Sequence, residues 1–312
     1  MLKAENRVED YRLTGEASGG SKLLSEVKSD YLVYLVGNKN CSPETIRSYK
    51  KKIGYLEEYL ARKFNGPVYL DDINFRDLDS FIIDMSTERN WQPNSLKQCH
   101  YTLRSFFSYC HRKELIKKNI ADQMEPVKGE RKEREHLSKA EFDKLENAIK
   151  HPLVRKVVIT LFYTGMRISE CLNLTIGDVD LTKGTIKVKE TKNNSFREIP
   201  LHQRLKNLLE EHLSDVDLQD PFVRKQRLFA TSKSGKITSS YVNLIIREAK
   251  EETGLTGKVT AHTLRHSFAS RLIKKNCNLV YVQKLLGHAD LRTTSVYTHA
   301  KMDDLIGSVD LL

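Results

Sequence analysis

At 312 residues, with 39% hydrophobic and 30% charged residues, the chain is long enough for two ordinary domains, each with its own core. No apolar run approaches the ~20 residues of a membrane span and the polar N-terminus carries no signal-peptide core, so a cytoplasmic protein without a membrane partner is expected. The net charge of +11 is uneven: residues 1–128 hold 21 Lys+Arg against 18 Asp+Glu, and residues 129–312 hold 31 against 23. Such a surplus suits a polyanionic partner, because neutralising phosphates releases condensed counterions. The five cysteines (41, 99, 110, 171 and 277) are scattered and include no C-x-x-C pair. They read as free thiols, against a disulfide framework or a zinc site.

Residues 1–20 are polar, lack periodicity and read as a flexible lead. From 21 to 125 the pattern is helical. A segment opens at Ser42-Pro43-Glu44, a cap residue with proline at the first helical position. It continues through Ile46, Tyr49, Ile53, Leu56 and Leu60 on one face, with Arg47, Lys50, Lys51 and Lys52 largely off it. A third helix is expected over Phe75–Glu88, and a fourth from Pro93 through Leu96, Leu103, Phe106, Phe107 and Tyr109. Together these predict a four- or five-helix bundle with its basic residues outside. Residues 126–136 carry a proline, a glycine and a charge run, as a domain linker does.

The second domain, 137–300, opens at Ser138, a helix cap with Glu141 three residues on. An amphipathic helix is expected through Leu153, Val154, Val157, Val158, Leu161 and Phe162. The period then changes to two. Thr185–Glu190 and Phe196–Pro200 alternate around Asn193-Asn194, which predicts a β-hairpin. Helix returns over Arg204–His212, Ser239–Glu252, Ala261–Lys275 and Leu279–Leu286, with Gly287 as a C-cap. The fold class is mainly α: a helical bundle, then a largely helical domain with a small β-sheet or hairpin. Residues 301–312 form a tail with apolar positions that could dock on a neighbouring protomer or pack in cis.

Individually the polar motifs say little. Arg167–Glu170 alone reads as a local ion pair, and His262–Arg265, near a helix start, as a surface pair sharing one face. Their order along the chain says more. Arg167, His262, Arg265 and His288 precede Tyr297, one of 13 tyrosines. A phosphodiester undergoing displacement gathers charge on its non-bridging oxygens, and guanidinium groups match that geometry and stay charged. Two of them can stand in for a divalent metal, and the sequence offers no carboxylate cluster to hold one. A phenol, with an ordinary pKa of about 10, needs a base and cationic neighbours to act as nucleophile. The leaving oxygen needs an acid, which a hairpin lysine can supply.

Thr164–Glu170, the hairpin from Lys192 to Arg197-Glu-Ile-Pro200, His262-Thr-Leu-Arg265-His-Ser-Phe-Ala, Leu285-Leu-Gly-His288 and Tyr297-Thr-His resemble the phage integrase, or tyrosine recombinase, family. The likeness in motif covers 137–300. The bundle resembles that family's SAM-like core-binding domain in helix pattern. The resemblance implies that Arg167 and Arg265 clamp the scissile phosphate, His262 handles the tyrosine proton and His288 bonds a non-bridging oxygen. It implies Lys192 as the acid for the 5′-oxygen, with Asn193 standing where the family usually has glycine, and Lys187 and Lys189 close by. Tyr297 would attack to give a 3′-phosphotyrosyl enzyme, and Glu170 would support the geometry. His266 and His299 flank the motifs as supporting or surface residues. Neither metal nor other cofactor is implied.

The partners implied are a double-stranded recombination site and three further protomers, a tetramer exchanging strands through a Holliday junction. Accessory proteins are further candidates. Arg47, Lys50, Lys51, Lys97 and Arg104 are candidate DNA contacts. The short N-terminus leans towards a simple Xer-like enzyme or compact element integrase without a separate arm-binding domain. A type IB topoisomerase-like relaxing enzyme and a silent DNA-binding protein of the same fold are the alternatives.

Overall fold

The computed structural model describes residues 22–39, 41–129, 135–189, 196–231 and 235–287. The chain divides into two units between Lys132 and Glu133, within the charged stretch expected to link them. The lead (1–20) and the tail (301–312) lie outside the described residues.

The first unit contains α1 (Leu24–Gly37), α2 (Pro43–Phe64), α3 (Phe75–Thr87) and α4 (Pro93–Arg112), with 3-10 turns at Leu70–Asp72 and Ile120–Gln123. Helix starts follow the sequence. The Ser42 hydroxyl accepts the Thr45 N–H at 3.2 Å, with Pro43 in the first turn. Asn74 and Asp77 form a reciprocal capping box at the head of α3. The expected stripe of α2 turns inward at Ile53, Leu56 and Leu60, while Ile46 and Tyr49 are half-buried. In α4, Leu96, Cys99, Leu103, Phe106, Phe107 and Cys110 recur at helical spacing and are buried against α1–α3. Each large apolar side chain so buried stabilises the unit by about 1.5–3 kcal/mol.

The second unit contains α5 (Lys139–Ala148), α6 (Pro152–Thr164), α7 (Ile168–Asn173), α8 (Gln203–His212), α9 (Pro221–Arg224), α10 (Ser239–Thr253), α11 (Ala261–Lys274) and α12 (Leu279–Leu286). Ser138 caps α5 with Glu141 as the sequence indicates. The hairpin strands are β2 (Thr185–Lys189) and β3 (Phe196–Pro200), and β1 (Val179–Asp180) pairs with β2 to make an antiparallel sheet of order β1-β2-β3. Register places Ile186 opposite Ile199 and Val188 opposite Arg197. The expectation of an amphipathic α6 is corrected here: every residue from Val157 to Thr164 is buried. The helix is the centre of the unit, packed on Phe142 through a parallel stack with Phe162 at 3.5 Å between ring centroids. Polar Thr160 and Thr164 tolerate this because their hydroxyls donate to Lys156 O (2.8 Å) and Thr160 O (2.6 Å).

All five cysteines are described and unbridged. Burial pushes the thiols of Cys99 and Cys110 up to about 12. Among the described residues no helix is long and apolar enough to cross a membrane.

Candidate active site

The site is built where two helices end and two begin. Helix α6 stops at Gly165, whose φ of +64° places it in the left-handed region, and whose N–H donates to Leu161 O at 3.0 Å. A Cβ there would lie 2.3 Å from Phe268 Cδ1, so close packing and backbone conformation both call for glycine. The chain then turns through Met166 to Arg167, which stands at the N-cap of α7. Glu170, one turn on, accepts the Arg167 N–H at 2.8 Å and Arg167 Nη1 at 2.7 Å. The Arg167 side chain remains about half exposed, whereas that of Glu170 is 1% exposed.

Glu170 has a second arginine. Arg197 Nη2 donates to Glu170 Oε2 at 2.7 Å and Nη1 to Oε1 at 3.4 Å, and its Nε donates to Leu285 O at 3.0 Å. Burial alone would raise the Glu170 carboxyl, but the hydrogen bonds from Arg197 and from Arg167 outweigh it and hold it below the ordinary carboxylate range. Glu170 is therefore a carboxylate at neutral pH. It holds both arginines and has no proton to give.

Arg265 lies on α11, which opens at Thr260 with a reciprocal cap to Thr263. The reading of His262 and Arg265 as a surface pair on one face is corrected by the burial of Arg265. His262 is exposed, while Arg265 is 3% exposed and donates from Nη1 to Gly165 O (2.7 Å) and from Nη2 to Leu286 O (2.8 Å). These carbonyls lie 100 and 21 residues away and end α6 and α12, the negative ends of two helix dipoles. His266, left open by sequence between a supporting and a surface place, is buried. Its ring meets that of His262 edge-on at 4.2 Å between centroids. Ser267 Oγ anchors the start of the unit by accepting the Leu137 N–H at 2.7 Å.

Helix α12 ends at Gly287, φ +66°, the C-cap expected from sequence. Arg167 Nη2 reaches Gly287 O at 3.5 Å. The structure thus brings Arg167, Glu170, Arg265 and His262 to one region of α7, α11 and α12. Lys192, His288, Tyr297 and His299 lie outside the described residues. Arg197 was missed by sequence reasoning, although one signal pointed to it: strand alternation places it on the same face as buried Ile199. Cys171, beside Glu170, is buried and its thiol is pushed up, so it offers no nucleophile.

In the first unit, Arg47, Lys50 and Lys51 lie on the exposed side of α2, and Lys97 and Arg104 on α4. Arg104 is paired with Asp122 at 2.9 Å. Lys52 Nζ reaches Gln98 Oε1 at 3.4 Å, so α2 and α4 present basic side chains side by side.

Residues 135–304 match the phage integrase family, and residues 29–114 match that family's N-terminal SAM-like domain. The chain belongs to the phage integrase family. It is a tyrosine recombinase, an enzyme of site-specific DNA recombination, which decides among the functions that the motifs left open. It is 30% identical over 291 residues to tyrosine recombinase XerC of Oceanobacillus iheyensis, covering 88% of this chain and 92% of that one. A XerC of Lactobacillus delbrueckii subsp. bulgaricus is 29% identical over 289 residues, covering 89% and 96%. Among solved structures, a Tn1549 transposon integrase in complex with a circular intermediate DNA superposes with a TM-score of 0.77 at 18% identity, covering 94% of this recombinase and 100% of that chain. A lambda integrase in a tetramer bound to a Holliday junction gives 0.72 at 22% identity, covering 88% and 79%. At these identities the superpositions show the fold.

Proposed function

We propose that this recombinase cleaves and rejoins duplex DNA at a specific site through Tyr297, with Arg167 and Arg265 as the charge clamp on the scissile phosphate. One observation carries the reading. Two arginines 98 positions apart in the chain reach adjacent carbonyls, Gly287 and Leu286, at the end of the helix that leads directly into His288. The Tyr297 oxygen attacks phosphorus and its proton passes to His262. The P–O5′ bond breaks, and Lys192 delivers a proton to the departing oxygen. The bond energy is kept in the 3′-phosphotyrosyl ester, so a free 5′-hydroxyl from the partner strand reverses the step without ATP.

The partner is a double-stranded recombination site held by two protomers, with four protomers assembling on two sites. The lambda integrase tetramer on a Holliday junction, of the same fold, supports that assembly. Arg47, Lys50, Lys51 and Lys97 supply backbone contacts from the bundle. The work is done in the cytoplasm, on the nucleoid.

The test is a nicked suicide duplex carrying the natural site, resolved on a denaturing gel. Wild type leaves a covalent protein–DNA band and Tyr297→Phe leaves none. A band of equal strength in Tyr297→Phe refutes the assignment.

A further inference from the structure

We infer that Arg197 is a positioning residue for the recombination reaction, setting the aim of Arg167 and the end of α12 from beneath; this rests on the reading of Arg167 as a phosphate clamp. Strand β3 alternates, and its inward positions are Arg197 and Ile199, opposite Val188 and Ile186. An apolar residue would satisfy an inward position at no electrostatic cost. A buried guanidinium is tolerated only when its donors are matched, and a buried ion pair gives orientation more readily than stability.

The donors of Arg197 meet a particular set of acceptors. Two nitrogens face the two oxygens of Glu170 (2.7 and 3.4 Å), and Nε faces Leu285 O (3.0 Å). The same two Glu170 oxygens hold Arg167 by its side chain and its backbone, at 2.7 and 2.8 Å. Along the end of α12, Leu285 O takes Arg197, Leu286 O takes Arg265 and Gly287 O takes Arg167. Three arginines from β3, α11 and the head of α7 therefore bond three successive carbonyls.

Arg197 is 8% exposed, too deep to touch DNA itself. Its fork ties three elements at one point: the hairpin strand that follows Lys192 in the chain, the Glu170–Arg167 pair, and the helix that leads into His288. A lysine cannot span these acceptors, because its single ammonium lacks the planar fork.

The experiment is a rate cycle on the full chain with Arg197→Lys, Arg167→Lys and the double variant, read as single-turnover cleavage of the nicked suicide duplex at saturating protein. Arg197→Lys is expected to cleave roughly 10- to 100-fold more slowly, the scale of a displacement of about 1 Å, while duplex affinity stays within about twofold. Added to Arg167→Lys, it is expected to slow cleavage by less than about threefold, because the aim it sets has already been lost. A wild-type rate in Arg197→Lys, or deficits that multiply in full, overturns the inference. Should Arg197→Lys fold poorly, Arg197→Gln, which keeps a donor towards Glu170, is read in the same cycle with the same two criteria. A wild-type rate in Arg167→Lys, or a covalent band in Tyr297→Phe, would instead strike at the proposed function.

Discussion

Replacing Glu170 by glutamine keeps the shape of the side chain and removes its charge. Arg197 is then left at 8% exposure with no carboxylate against it, since Glu170 accepts from both of its Nη atoms. Removing one partner of a buried ion pair costs about 3–5 kcal/mol. The Arg167 contribution is discounted to at most about 1 kcal/mol, because its side chain is 46% exposed and screened by water. A loss of about 3–6 kcal/mol follows for the second unit. At a slope of about 2 kcal/mol per molar urea, the midpoint falls by about 1.5–3 M. The assay is urea unfolding followed by far-UV circular dichroism, with the fluorescence of the single tryptophan as internal control. That residue, Trp91, packs edge-on against Tyr55 in the first unit and reports there. The circular-dichroism transition should move while the fluorescence transition holds. Arg197→Met, alone and combined, completes a cycle in which the double variant loses less than the sum of the singles. A midpoint shift below about 0.5 M, or strict additivity, would show that the Glu170–Arg197 pair does not hold the unit together.

Three other outcomes follow. Gly165→Ala puts a methyl 2.3 Å from the Phe268 ring at a φ of +64°; left-handed strain of about 1–2 kcal/mol and overpacking of about 1–3 should lower the melting temperature of the second unit, and displacing Gly165 O from Arg265 should slow cleavage. Unchanged melting and cleavage together would refute both parts. Because the folded Glu170 carboxyl lies below its ordinary value of about 4.3, its contribution is complete above that pH and is lost as the pH falls through the folded value. The melting-temperature gap between wild type and Glu170→Gln should therefore be constant from pH 7 to about 5 and narrow below about 4; a gap that widens on acidification has the wrong sign. Finally, a 5′-thiol leaving group needs little proton assistance, so it should restore cleavage to Lys192→Ala selectively. Equal deficits with oxygen and sulfur would remove Lys192 from the general-acid role.

Local chemistry made much of the fold legible. Ser42-Pro43 and Ser138 with Glu141 marked helix starts because caps satisfy orphan N–H groups within a few residues. The hairpin was visible from its period of two. By contrast β1 has two residues and α9 four, too few to carry a period. The burial of α6 from Val157 to Thr164 is imposed by neighbours from elsewhere in the chain, and the Thr160 and Thr164 hydroxyls are satisfied within their own helix. The site divided in the same way. Arg167 and Glu170 are one turn apart and announced their pairing. The acceptors of Arg265 at Gly165 and Leu286 are distant in sequence, so no local pattern encoded its burial.

The convergence at α12 changes what an arginine substitution means in this recombinase. A helix end leaves carbonyls without intrahelical partners, and the Gly287 N–H reaches back only to Gln283 O and Lys284 O. Three guanidinium groups take that role at Leu285, Leu286 and Gly287. Their charges are thus held close together by the negative end of one helix dipole, which offsets their mutual repulsion. The same bonds fix the end of α12, the helix that precedes His288 in the chain. Replacing Arg265 by lysine preserves the net charge yet gives up one of two carbonyls, Gly165 O or Leu286 O, and so moves a helix end along with the charge. The loss in cleavage should therefore exceed what charge alone accounts for, since geometry and electrostatics are carried by the same nitrogen atoms.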